Sequence, residues 1–156
     1  KTTAPIMFLL ITASMYSRLL ALGGAVNVIS AFFRDLGVGA PLVILAMLLI
    51  WLFLGMLIDS VSIILLTVPI FPPVAIAVGI EPLAFAVFGI LVIEAGLLTP
   101  PFGLLVYTVK AAAPDPGVTL SMIFKGSVPY WLLILVTALA VVLMPGLATW
   151  LPSVAF

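Results

Sequence analysis

The chain has no cysteine and no histidine, and only 6% of its 156 residues are charged. Without cysteine there is neither a disulfide framework nor a thiolate nucleophile. Without either residue type the usual zinc and haem ligands are missing. Charge this sparse does not make a solvated surface, because a soluble domain carries about 25% charged residues. Five basic and five acidic residues cancel, which excludes the basic footprint of a nucleic-acid-binding protein. What the chain has in abundance is hydrophobic residues, at 66%, together with 13 prolines and 12 glycines. Such a composition belongs to an all-α integral membrane protein, with the lipid bilayer as its solvent.

Five stretches can be read along it. Residues 1–36 hold a first spanning helix, about Pro5 to Leu22, which stops at Gly23-Gly24. On it Ser14, Ser17 and Arg18 share a face. Arg18 either faces protein or water or snorkels to an interface. An amphipathic helix follows, with Val26, Ile29, Phe32, Phe33 and Leu36 on one side and Asn27, Ser30 and Arg34 on the other. It either lies in the interface or continues the span at an angle. The first apolar run starts almost at Lys1, which would suit a signal peptide. Because the run continues to Leu22 with no initiator methionine, a piece of a longer protein is expected instead.

Residues 37–81 read as a hairpin. Its first arm, Leu42 to Leu54, is almost purely apolar and meets a polar tip, Gly55-Met56-Leu57-Ile58-Asp59-Ser60-Val61-Ser62. Pro69, Pro72 and Pro73 cut the second arm. Each arm is short against the roughly 20 residues of a full span, which suits a re-entrant hairpin, with two full spans as the alternative. Residues 82–113 are a helix broken at its centre by Gly96-Leu97-Leu98-Thr99-Pro100-Pro101-Phe102-Gly103. Residues 114–127 form a turn-rich loop and a short amphipathic lead-in from Ser121 to Lys125. Residues 128–156 carry the last span, about Val128 to Met144, with Tyr130, Trp131 and Trp150 as interfacial anchors. A hairpin returns the chain to the side it left. Lys1, Lys110 and Lys125 then share one face, and Arg34, Asp35 and Glu81 the other. By the positive-inside rule the lysine face is cytoplasmic, the hairpin opens outward and the C-terminus lies outside.

The two interruptions are where chemistry is expected. Asp59 or Ser60 can cap the second hairpin arm, and Gly55 loosens the end of the first. Thr99 can cap a half-helix that starts at Pro100, and Gly96 can end the half-helix before it. Helix carbonyls then face helix N–H groups at each break. Carbonyl and hydroxyl oxygens suit a hard cation such as Na⁺, and the N-terminal ends suit a carboxylate. Glu94, inside the apolar run, costs roughly 2–3 kcal/mol if charged against lipid. Three states stay open for it: a protonated donor, a partner of Arg18, or a cavity-lining group. Ser62 and Thr67 fit simple bonds back to helix carbonyls. A rival reading pairs Asp59 with Glu94 as a hydrolytic carboxylate dyad, but the Gly-Met-Leu-Ile-Asp context does not match intramembrane aspartyl proteases. A non-transporting structural subunit is a further alternative.

With these segments in order, the chain resembles the large permease subunit of tripartite ATP-independent periplasmic (TRAP) transporters, the DctM type. The likeness rests on Gly55-Met56-Leu57-Ile58-Asp59-Ser60, Pro69-Ile70-Phe71-Pro72, Gly79-Ile80-Glu81-Pro82, and Gly96 through Gly103 followed by Val106-Tyr107. It covers nearly all of this chain and is similar to the C-terminal half of such a subunit. It implies an elevator-type, Na⁺-coupled secondary transporter of the bacterial inner membrane, not an enzyme, with no cofactor beyond the coupling ion. This chain would be one inverted-repeat half. The implied cargo is an organic acid of the C4-dicarboxylate or sialic-acid type. The implied partners are the N-terminal half of the permease, a small membrane subunit and a periplasmic binding protein. By the same likeness Gly55, Asp59, Ser60, Gly96, Thr99 and Gly103 would hold Na⁺, and Ser62, Glu94, Pro100 and Pro101 would border the substrate cleft. A binding-protein-independent dicarboxylate transporter of the same superfamily is the alternative.

Overall fold

The computed structural model describes residues 3–35, 37, 39–113, 115 and 117–155, with the side chains of 3, 6, 34, 151 and 152 left aside. Lys1, Leu36, Pro114, Pro116 and the face taken by the Arg34 side chain lie outside the described residues.

Helices α1 (Thr3–Leu22) and α2 (Ala25–Asp35) are separated by Gly23-Gly24 and bent by 61°. Gly24 supplies the turn with φ +70, a value that glycine adopts without penalty. The hairpin consists of α3 (Ala40–Leu57), α4 (Ser60–Thr67) and α5 (Phe71–Ala77), the last two bent by 52°. Proline near the start of α5 cannot donate to the preceding turn, so the second arm is two short helices. Glu81 caps α6 (Pro82–Leu97), accepting the Ala84 N–H at 2.5 Å. A break follows, then α7 (Leu104–Ala112), α8 (Leu120–Leu143) and α9 (Gly146–Ala155). Two helices, α3 and α8, are long and apolar enough to cross a bilayer, and each bent pair adds a further candidate span.

The core lies where α3 and α6 pack together, with α4, α5 and α8 around them. Its centre is Trp51, whose ring centroid stands 5.1, 5.4 and 5.8 Å from those of Phe71, Phe85 and Phe88. Outside this core, large apolar side chains such as Phe8, Phe53 and Leu133 face outward. In water such a surface would aggregate; against hydrocarbon it is ordinary. The chain is an all-helical membrane protein among its described residues.

Some local expectations are corrected. Residues 121–125 are not a separate lead-in: with Thr119 as N-cap, accepting from the Met122 N–H, one helix runs from Leu120 to Leu143 with Pro129 inside it. An interior proline removes one backbone bond, which apolar helices tolerate where neighbours or local adjustments satisfy the freed carbonyl. Met144-Pro145 then ends this helix and α9 follows, carrying the exposed Trp150. The other corrections, at Gly96, Thr99 and Ser62, belong to the site.

Candidate functional site

The site begins with a contact between two glycines. A Cβ built on Gly55 would stand 2.7 Å from the Gly96 Cα, and one on Gly96 would stand 2.9 Å from the Gly55 Cα. At such a separation only hydrogen fits, so α3 and α6 touch backbone to backbone. Gly55 lies two residues before the end of α3, and Gly96 one before the end of α6. Their contact brings the hairpin tip and the helix break together. Gly96 was expected to terminate its helix; instead it sits within the last turn, and its function is this close approach.

At the tip, α3 stops at Leu57 and the Ile58 N–H closes back onto the Leu54 carbonyl at 2.9 Å. Among the described residues no backbone N–H reaches the carbonyls of Gly55, Met56 and Leu57. Asp59 is the N-cap of α4. Its carboxylate accepts the Ser62 N–H at 3.1 Å and the Ser62 hydroxyl at 2.6 Å. These bonds, first the hydroxyl and then the backbone N–H, hold the exposed Asp59 carboxyl below the ordinary carboxylate range. Ser62 is thus turned toward Asp59 rather than back to a helix carbonyl. It also borders a shallow groove between α1 and α4 that Thr12 and Tyr16 share. Ser60, half-buried, opens α4 beside it.

At the break, the Leu98 N–H donates to the Ala95 carbonyl and the Thr99 N–H to the Gly96 carbonyl, at 3.1 and 3.0 Å. The Thr99 hydroxyl donates to the Ala95 carbonyl at 2.8 Å. Thr99 therefore closes α6 and does not cap α7, contrary to expectation. The physical reason lies in the two prolines: the second disfavours helical geometry at the first, so a helix does not start on Pro100. The chain passes through exposed Pro100 and Pro101, joined by a cis peptide, and turns at Gly103, the N-cap of α7, with φ +44. A Cβ at Gly103 would meet the Phe124 ring of α8 at 2.8 Å. Phe124, read from sequence as part of a short amphipathic lead-in, is what seats this turn.

Glu94 is half-buried on α6, three residues before the end of that helix, and forms no ion pair among the described residues. Arg18 is exposed on α1, which packs on α2 and α4, so the pair considered for Glu94 is not made. A cleft of about 270 Å³ between α4–α5 and α6 is not bordered by Ser62, Glu94, Pro100 or Pro101. The oxygens near the two ends that Gly55 and Gly96 join are the unpaired carbonyls at the end of α3, the carboxylate of Asp59 four residues past Gly55, and the turn carbonyls around Thr99. Hard cations bind such sets. No group of His, Cys, Asp and Glu suited to a transition metal occurs among the described residues.

Comparison with known proteins bears on this arrangement. The family described as "Tripartite ATP-independent periplasmic transporter, DctM component" matches residues 1–147. The sialic acid TRAP transporter large permease protein SiaM of Vibrio cholerae is 32% identical over 97% of this chain and 35% of its own length. The C4-dicarboxylate TRAP transporter large permease protein DctM of Pseudomonas aeruginosa is 27% identical over 98% of the chain and 35% of its own length. The ectoine/5-hydroxyectoine large permease protein UehC of Ruegeria pomeroyi is 32% identical over 74% of the chain. The chain thus spans about a third of the length of the first two relatives, less than the half that the sequence resemblance implied. These relatives are transport permeases and not enzymes, which removes the carboxylate-dyad hydrolase. No solved structure matches the chain.

Proposed function

The chain belongs to the DctM component family of tripartite ATP-independent periplasmic transporters, and on that premise we propose that it forms a cation-binding part of a Na⁺-coupled organic-acid permease. The observation that supports this reading is the Gly55–Gly96 contact, which sets the unpaired carbonyls of the α3 end beside the turn of the α6 end. Na⁺ would be held by oxygens from the tip (Gly55, Asp59, Ser60) and from the break (Gly96, Thr99, Gly103). The substrate carboxylate would be bound next to it, bordered by Ser62, Glu94, Pro100 and Pro101. No arginine occurs between Asp35 and Phe156, so a guanidinium for that carboxylate would come from elsewhere in the complete permease. That remainder would supply the inverted hairpin, a small membrane subunit would brace the scaffold, and a periplasmic binding protein would deliver the substrate. Movement would be of the elevator type, in the bacterial inner membrane, with the C-terminus on the periplasmic side. The relatives are named for sialic acid, C4-dicarboxylate and ectoine, and we favour an acid among them because an anion uses the helix N-termini at the breaks.

The test is uptake of labelled succinate, sialic acid and ectoine by the complete permease in proteoliposomes, as a function of external Na⁺. Asp59→Ala and Thr99→Ala are expected to raise the Na⁺ concentration needed for half-maximal uptake while leaving the amount of folded protein near parental. Sodium activation that is unchanged in both variants would remove the assignment.

A further inference from the structure

Thr67, 4% exposed, is the most deeply buried polar residue among the described residues. Its hydroxyl accepts the Trp51 indole N–H at 2.9 Å and donates to the Ile63 carbonyl at 2.8 Å. Among the described residues this is also the one side-chain hydrogen bond that joins two helices, α3 and α4; every other side-chain bond is local or goes to a loop carbonyl. The same indole lies on Gly89 of α6, where a Cβ would stand 2.7 Å from the ring. One side chain thus touches both hairpin arms and the broken helix.

The two arms are held differently. Helix α3 meets α6 backbone to backbone at Gly55–Gly96 and through the indole on Gly89. Helices α4 and α5 also touch α6, but an apolar cleft of about 270 Å³ opens between them, with Ile64, Thr67 and Val68 on one side and Phe85, Gly89 and Ile93 on the other. Beside Ile63, buried in the shared core, the hydrogen bond to Trp51 is the directional contact that ties α4 to α3. Thr67 is seven residues from Ser60, and Gly89 seven from Gly96, so the bond sits roughly 10 Å from the tip by helix rise. In an apolar interior an indole N–H has few competing acceptors, and its loss is felt along a rigid helix.

We propose that the Trp51–Thr67 hydrogen bond is a positioning device for the cation site: it sets the register of α4, and with it Asp59 and Ser60, against the unpaired carbonyls of the α3 end. Neither side chain contacts the ion; each acts through the helix it holds. This rests on the proposed Na⁺ site, and the experiment separates the two. The complete permease is purified and its unfolding midpoint followed against NaCl, with KCl at equal ionic strength as control. A specifically bound ion raises the midpoint with its concentration. The parent is expected to show a Na⁺-specific rise. Thr67→Val is expected to need roughly three- to tenfold more NaCl for the same rise, as loss of one hydrogen bond implies. Thr67→Ser should restore the parental response. Trp51→Phe keeps the Thr67–Ile63 bond and should shift the requirement in the same direction, with no additional shift in the double variant; it reads the bond even if Thr67→Val folds poorly. Midpoints that fall equally in both salts, with the Na⁺ response of Thr67→Val and Trp51→Phe intact, would overturn the positioning role alone. A parent with no Na⁺-specific rise would overturn the cation site and this role together.

Discussion

Gly96 and Gly126 differ in what a methyl group would meet. At Gly96 it would strike the Gly55 Cα at 2.9 Å and the Trp51 and Leu52 carbonyls at 3.2 Å, all backbone, whereas at Gly126 on α8 nothing lies within 4 Å. Gly96→Ala is expected to destabilise by about 1–3 kcal/mol, because two helices must separate. Gly126→Ala is expected to be neutral or stabilising by up to about 1 kcal/mol, as alanine is the better helix former. Thermal midpoints of the purified protein compare them directly; equal effects would mean that α3 and α6 do not touch. Asp59 gives a second residue-scale test. Its folded pKa is depressed, so its contribution to stability is present above the ordinary carboxylate pKa and lost as pH falls through the folded value. Asp59→Ala should cost about 0.5–2 kcal/mol at neutral pH, the value of an N-cap, and the difference from parent should shrink in acid. Asp59→Asn should retain most of the cap. Capping at Asp59 was legible in the sequence because its signal lies within three residues. The partners of Gly55, Gly96 and Trp51 were not, because each is set by a helix crossing that local spacing does not encode.

At the scale of elements, the broken helix was readable as an interruption but not as a geometry. Gly and Pro marked where α6 must stop, yet Thr99 followed by proline also fits a helix start, and the two readings differ only in where the threonine hydroxyl points. The second proline decides between them, and Gly103 becomes the cap. Gly103→Ala should be costly on two counts, since φ +44 is a left-handed conformation and the Phe124 ring occupies the space. Trimming the ring in a Gly103→Ala/Phe124→Leu double variant should recover only the steric part. Hydrogen exchange over residues 98–107 reads this, with faster exchange in the single variant and partial recovery in the double. Full recovery would show that the backbone conformation at Gly103 is unstrained. The run from Thr119 to Leu143 was misdivided for the opposite reason. Gly126 and Pro129 look like punctuation, but the apolar surroundings of α8 give the chain no better alternative than continuous helix.

For the whole molecule, composition already fixed the solvent, because 6% charge leaves lipid as the medium for so many outward apolar side chains. The lack of cysteine also offers a clean labelling background within this chain. Single cysteines at Asp35 and Lys125, both exposed, are expected to react with a membrane-impermeant maleimide from opposite sides, Asp35 from the periplasm and Lys125 from the cytoplasm. Labelling from one side would mean that the hairpin does not return the chain as the charge distribution requires. The central claim is that two unwound segments, joined at the Gly55–Gly96 contact, bind a sodium ion with backbone and side-chain oxygens. Equilibrium binding of radiolabelled Na⁺ to the purified permease tests it most directly. Saturable binding that excess K⁺ does not displace, and that Asp59→Ala and Thr99→Ala each weaken in protein that remains folded, is the predicted result. Absence of saturable binding, or equal binding by parent and both variants, would contradict it.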